Sequence, residues 1–123
     1  MQLFGVGIDV VDLQRFREIL IRRPKIAKKI FSEKELEDMD SRSDPVPGLA
    51  GRFCAKEAFL KAMGKGLFVC DLREIEVHKT TSGAPKLHLR AKAAVLANEL
   101  GAERFDISIS HSDLVATAVV IIS

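Results

Sequence analysis

The chain has 123 residues, with 19 basic and 17 acidic side chains for a formal charge of +2, and is 47% hydrophobic and 29% charged. That length gives one domain, residues 1–123, with a small core of its own, and the composition excludes a disordered or low-complexity protein. The longest apolar run, Leu114 to Ile122, is interrupted by Thr117 and falls far short of the ~20 residues a membrane helix needs.

Residues 3–8 read as a short strand, and a helix is expected to open at Val11 or Asp12, with Leu13, Phe16, Ile19 and Leu20 on one stripe. Pro24 ends it, and 25–30 adds a turn or two. Ser32 followed three residues later by Glu35 is a capping box, which predicts a helix over 33–40. The segment 40–48, with Pro45 and Pro47, is expected to be loop. A longer helix over 49–63 carries Leu49, Phe53, Leu60 and Met63 on one stripe, while Gly51, Ala55, Ala58 and Ala62 keep it thin enough for close packing. Alternation at Arg73 to His78 gives a half-buried strand, 81–85 a turn, and Leu87 with Leu89 the returning strand. A helix over 91–100 closes at Gly101, and two strands follow, 105–111 and 114–122. The order is α+β: an antiparallel sheet packed with helices, without the regular βαβ alternation of a Rossmann domain.

Chemistry concentrates in two distant stretches. The first is Gly5-Val6-Gly7-Ile8-Asp9; the second is Ala55-Lys56-Glu57-Ala58-Phe59-Leu60-Lys61-Ala62, which runs into Gly64-Lys65-Gly66. Hard divalent cations usually keep one or two protein carboxylates and leave the remaining positions to water and substrate phosphates. Asp9 and Glu57 suit that part. Glu57 and Lys61 stand at i and i+4, so on a helix a cation-binding carboxylate sits one turn from an ammonium able to meet phosphate. The same spacing is also that of an ordinary stabilising surface pair, and it is the combination of stretches that points to phosphate-transfer chemistry. Charge is uneven as well. Between Arg15 and Lys29 seven basic residues face one acidic residue, Glu18, a basic surface that attracts acidic partners by sign before shape.

Other patterns fail on their own terms. Gly5-Val6-Gly7 has no third glycine opening a helix, and Gly64-Lys65-Gly66 follows a helix without the Ser or Thr of a P-loop, although such glycines let backbone N–H groups approach an anion. Ser110-His111-Ser112-Asp113 cannot chain hydrogen bonds as a hydrolase triad, since neighbouring strand residues point to opposite faces. Cys54 and Cys70 lack CxxC spacing and read as reduced thiols. The N-terminus has no secretory pattern, so the expected compartment is the cytoplasm.

The order Gly-Ile-Asp, Asp12-Leu13-Gln14-Arg15, Gly51-Arg52-Phe53 leading into Ala-Lys-Glu-Ala-Phe, and Ile109-Ser110-His111-Ser112 closely resembles the holo-acyl-carrier-protein synthases, the small stand-alone 4′-phosphopantetheinyl transferases. The resemblance runs from Gly5 to the last strand. It implies transfer of 4′-phosphopantetheine from coenzyme A to a serine of apo acyl carrier protein, releasing adenosine 3′,5′-bisphosphate, in support of fatty acid synthesis. It implies Asp9 and Glu57 as ligands of Mg²⁺ (or Mn²⁺), and Asp9, Glu57 and Lys61 as the catalytic set. The serine proton would go to Glu57 or to a metal-bound water. Arg52, Lys61, Gly64, Gly66 and His111 would meet coenzyme A, Arg52 across a subunit boundary, and Arg15 and Arg22 would meet the acidic carrier. A homotrimer with sites between subunits is implied, with neither nucleic acid nor membrane as partner. Two rival classes, a basic nucleic-acid-binding module and a metal-dependent phosphohydrolase, would account for the charge or for the carboxylates, but not for both.

Overall fold

The computed structural model describes residues 2–123. Strand β1 is Gly5–Asp12, followed by helices α1 (Leu13–Arg22), α2 (Ile26–Ile30), α3 (Glu33–Asp40) and α4 (Val46–Ala62). A 3₁₀ turn over Leu72–Glu74 leads into the hairpin β2 (Ile75–Lys79) and β3 (Pro85–Leu89), then α5 (Ala91–Leu100), β4 (Phe105–His111) and β5 (Val115–Ile122). All strand pairs are antiparallel, in a three-stranded sheet of order β1-β5-β4 and the separate β2-β3 hairpin. The α+β expectation holds.

Several boundaries differ from the sequence reading; the strand read from Arg73, for one, starts at Ile75 after the 3₁₀ turn. Strand β1 continues through Asp12, because β5 is long enough to pair it residue by residue from Gly5↔Ile122 to Asp12↔Val115. Helix α4 starts at Val46, three residues early, with Pro47 in its first turn and the Asp44 carboxylate accepting from the Val46 N–H at 3.1 Å. A proline that punctuates a loop is equally favoured in the opening turn of a helix, where its missing N–H costs nothing. The capping box is present as expected: Ser32 Oγ accepts from the Glu35 N–H, and Glu35 Oε1 accepts from the Ser32 N–H at 3.0 Å.

Helix α4 is the spine of the molecule. It crosses the inner face of the sheet, against Ala116, Ala118, Val120 and Ile122 of β5, all buried. Its small residues decide how closely it lies. A Cβ on Gly7 would stand 1.8 Å from the Ala58 carbonyl oxygen, and one on Gly5 would stand 1.9 Å from that of Ala62. Strand and helix backbones therefore touch, and only glycine fits between them. The opposite face of the sheet is open: Val6, Ile8 and Val10 of β1 are 54%, 64% and 60% exposed, beside half-exposed Val119 and Ile121 of β5.

Polar chemistry also enters the core. Lys56 and Glu35 are both completely buried. Lys56 Nζ donates to Glu35 Oε1 at 2.7 Å and to the carbonyls of Leu72 at 2.9 Å and Ile75 at 2.7 Å, and Glu35 Oε2 accepts from the Val77 N–H at 3.1 Å.

Candidate active site

The contact of β1 with α4 brings the two chemical stretches together. Gly5, Gly7, Asp9 and Val11 point to the helix side by strand alternation. Since Gly7 lies on Ala58 and Gly5 on Ala62, Asp9 comes to the flank of α4 that carries Glu57 and Lys61. Lys61 Nζ donates to Asp9 Oδ1 at 3.0 Å and to the Ile8 carbonyl at 3.1 Å. The second oxygen, Asp9 Oδ2, is buried with no hydrogen-bond partner; among the described residues only His78 Nε2 shares that condition. A buried carboxylate oxygen left bare is costly unless something cationic meets it.

Glu57 stands half-buried beside it. Burial, with the Asp9 charge close by, pushes its carboxyl above the ordinary carboxylate range, and the Lys61 ammonium works against that. Two carboxylates that repel each other and one lysine that answers both make a pair short of positive charge. Cys54, one turn back on α4, lies under the same group: burial and the Asp9 charge push its thiol up to about 12, so it stays protonated and unreactive. Both cysteines are free. No cluster of three or more His, Cys, Asp or Glu suited to a metal occurs among the described residues. A two-carboxylate site for a hard cation, completed by water and phosphate oxygens, is compatible with that. The bare Asp9 Oδ2 and the disfavoured Glu57 charge fit such an ion.

The glycine loop begins directly after α4. Gly64 has φ of 68°, and its N–H donates to the Lys61 carbonyl at 3.0 Å, so the loop starts within one turn of Lys61. No atom stands within 4 Å of where a Cβ would be on Gly64 or Gly66. Phe68, four residues on, has φ of 72° and is 95% exposed.

Other expected site residues lie apart from this centre within one chain. His111 ends β4, the far edge strand, with β5 between it and β1: Asp9 pairs with Ala118, which pairs with Ile109. Two strand spacings put it on the order of 10 Å or more away. It borders instead a cleft of ≈310 Å³ with Asp12, Arg17, Asp44 and Pro47. Arg52 is buried on the other side of α4, where its guanidinium meets the Val77 carbonyl at 3.4 Å and the Asp38 carboxylate at 3.9 Å. Arg15 and Arg22 are exposed, two turns apart on one face of α1. Of the seven basic residues between 15 and 29, Arg17 is the one tied in an ion pair among the described residues, to Asp44 at 2.7 Å.

The sequence profile of the 4′-phosphopantetheinyl transferase superfamily matches residues 5–119. The chain is 42% identical over 123 residues to a holo-[acyl-carrier-protein] synthase of Streptomyces avermitilis, covering 98% of each. It superposes on the crystal structure of the holo-[acyl-carrier-protein] synthase from Neisseria meningitidis with a TM-score of 0.92 at 29% identity, over 99% of both chains. On a complex of a Chronobacterium ammoniagenes acyl-carrier-protein synthase with coenzyme A the score is 0.90 at 30% identity, covering all of this chain and 98% of that one.

Proposed function

The chain belongs to the 4′-phosphopantetheinyl transferase superfamily, and we propose from this that it is a holo-acyl-carrier-protein synthase, taking 4′-phosphopantetheine from coenzyme A to a serine of an apo acyl carrier protein. The serine oxygen bonds to the phosphorus that carries the pantetheine arm, the bond from that phosphorus to the bridging oxygen breaks, and adenosine 3′,5′-bisphosphate leaves. The observation that carries the reading is Asp9, with one carboxylate oxygen held by Lys61 and the other buried and bare beside Glu57. Asp9 and Glu57 would hold Mg²⁺ or Mn²⁺, which when bound neutralises pyrophosphate charge and improves the leaving group. Lys61, half-exposed and held against β1 by Asp9 and the Ile8 carbonyl, would offer its ammonium to the transferred phosphoryl group, where positioning and charge supply most of the catalysis. Glu57 or a metal-bound water would take the serine proton. The open backbone of Gly64 to Gly66 suits a phosphate oxygen.

The deciding experiment is intact mass of an apo carrier protein after incubation with coenzyme A and Mg²⁺. Addition of one phosphopantetheine is expected; hydrolysis of coenzyme A with an unmodified carrier would instead identify a phosphohydrolase. Lys61→Ala is expected to lower kcat by roughly 10²-fold, on the scale of a lost charge-stabilising donor, with little change in Tm. A change in Tm alone would leave Lys61 as a helix-pair residue.

His111 and Arg52 join the site only if a second subunit brings them, and the open face of Val6, Ile8, Val10 and Ile121 is an apolar surface a further copy would cover. The family resemblance implies a homotrimer with sites between subunits, working in the cytoplasm, and the open apolar face supports that assembly. Ile8→Asp, on that face, is expected to give an inactive monomer in sedimentation equilibrium, and a monomeric, active wild type would refute the assembly.

The exposed arginines of α1 receive the carrier, which is acidic. Charge reversal at Arg15 and Arg22 is expected to raise the apparent KM for the carrier, to make it less sensitive to salt, and to leave that for coenzyme A unchanged. Should the coenzyme A value move and the carrier value stay put, this face belongs to the nucleotide.

A further inference from the structure

Lys56 neighbours Glu57 in sequence but faces the core rather than the Asp9 flank of α4, and its three acceptors come from three separate segments. Glu35 belongs to α3, Leu72 to the 3₁₀ turn and Ile75 to the start of β2. Two of these, Leu72 and Ile75, stand just beyond the end of the loop that begins at Gly64. The beginning of that loop is tied to the same stretch of helix: the Gly64 N–H donates to the Lys61 carbonyl and the Lys65 N–H to the Leu60 carbonyl at 2.8 Å. Both ends of the 64–71 loop are thus fastened to one stretch of α4, from Lys56 to Lys61. Phe68, within the loop, keeps a positive φ while 95% exposed. A non-glycine residue in that conformation is strained and persists only where the surroundings impose it. Within this chain no packing holds the Phe68 side chain; the loop is held at its fastened ends and by Val69 and Cys70, which pack on the core.

A buried ion pair is a poor source of net stability, because desolvation offsets most of the attraction, and apolar replacements of similar volume are often neutral or better. Burial does hold the Lys56 amine below its ordinary range, with Glu35 opposing that. What this pair supplies that an apolar pair cannot is direction: two carbonyls and a carboxylate fixed about one ammonium. We propose that Lys56, held by Glu35, is a positioning residue for the transfer reaction, setting the 64–71 loop against α4 so that Gly64 to Gly66 and Lys61 stand in register with Asp9. The inference rests on the transferase reading above.

The test is the double variant Glu35→Gln with Lys56→Met, which removes both charges at nearly constant volume, assayed beside the wild type for Tm and for steady-state transfer with each substrate varied in turn. Wild-type transfer tests the transferase reading by itself, and its absence would sink that reading. With an active wild type, the expected result is a double variant that still folds, at a lowered Tm because an amide at 35 keeps one acceptor for two backbone N–H groups, and whose kcat, measured well below that Tm, falls about tenfold or more, with KM for coenzyme A raised and KM for the carrier unchanged. A folded variant with unchanged kcat and KM overturns the proposal. If that variant does not fold, Glu35→Gln with Lys56→Gln, which keeps a neutral donor inside, is measured in the same way. Unfolding of both variants also overturns the proposal, because the pair would then hold the fold rather than the aim.

Discussion

Asp9→Asn and Glu57→Gln are each expected to reduce transfer by at least about 10³-fold while leaving the fold in place, the loss anticipated when a group that organises transition-state charge is removed. Neither substitution changes side-chain volume, and both act at a site on the flank of α4 rather than in the core beneath it. Glu57→Gln carries a second, opposite signature. Because the folded state raises the Glu57 pKa, it holds that proton more tightly than the unfolded chain does. This group's contribution is therefore most favourable below the unfolded value and is lost as pH rises through the folded one. At neutral pH the ionised Glu57 weighs against the metal-free fold, and its amide does not. Metal-free Glu57→Gln is expected to have a higher Tm than metal-free wild type at about pH 7.5, with the difference shrinking toward about pH 5, where a carboxyl approaches protonation. Added Mg²⁺ should raise the wild-type Tm at the higher pH and leave the variant unmoved. Near-normal activity of both variants at limiting Mg²⁺ would remove the two-carboxylate site, and a variant stabilised by Mg²⁺ as strongly as wild type would remove Glu57 from it.

The elements of this fold were legible wherever one periodicity ruled. The capping box at Ser32 and Glu35 and the breaks at Pro24 and Gly101 each depend on residues close in sequence, and each appears as expected; the strand read over 73–78 appears from Ile75, with Glu76 buried between Ile75 and Val77. Long-range pairing was less visible: β1 extends to Asp12 because a partner more than a hundred residues away is long enough to pair with it. At the site, Glu57 and Lys61 were paired by their spacing and Asp9 was singled out as the carboxylate closing the opening apolar run; the structure ties Asp9 to the Lys61 ammonium and sets Glu57 half-buried beside them. Lys56 was missed, though a signal existed. It lies three residues after Phe53 and four before Leu60, on the stripe read as apolar, so a charge there required a buried partner. Glu35 was assigned a local role, as a cap, and its second role in holding Lys56 depends on the tertiary fold bringing the start of α3 within reach of α4, which no periodicity announces. The Phe68 conformation and the buried setting of Arg52 are likewise products of tertiary packing.

The two opening glycines show the same limit from the other side, and they carry the second large expectation. As sequence, Gly5-Val6-Gly7 failed as a nucleotide fingerprint and had no other assignment. In the fold their missing side chains are what let β1 lie on α4. A methyl at position 7 would stand 1.8 Å from the Ala58 carbonyl oxygen and 2.7 Å from the Ala62 nitrogen. Both are backbone atoms of a regular helix and cannot rotate aside. Gly7→Ala must therefore part strand and helix, which places its cost at or beyond the upper end of the ~1–3 kcal/mol typical of overpacking. The same displacement moves Asp9 away from Lys61 and Glu57, so activity should fall further than stability does. At a temperature where circular dichroism still reports a folded chain, Gly7→Ala is expected to have lost about 10²-fold or more in kcat, the scale on which misplacement of catalytic groups by about 1 Å acts. Gly64→Ala separates close packing from loop conformation, since its position is open to solvent and only its φ of 68° resists a side chain. Its Tm should fall by much less than that of Gly7→Ala. Equal stability of Gly7→Ala and wild type would mean that the strand rides higher on the helix than this contact requires, and the account of how Asp9 reaches Lys61 would go with it.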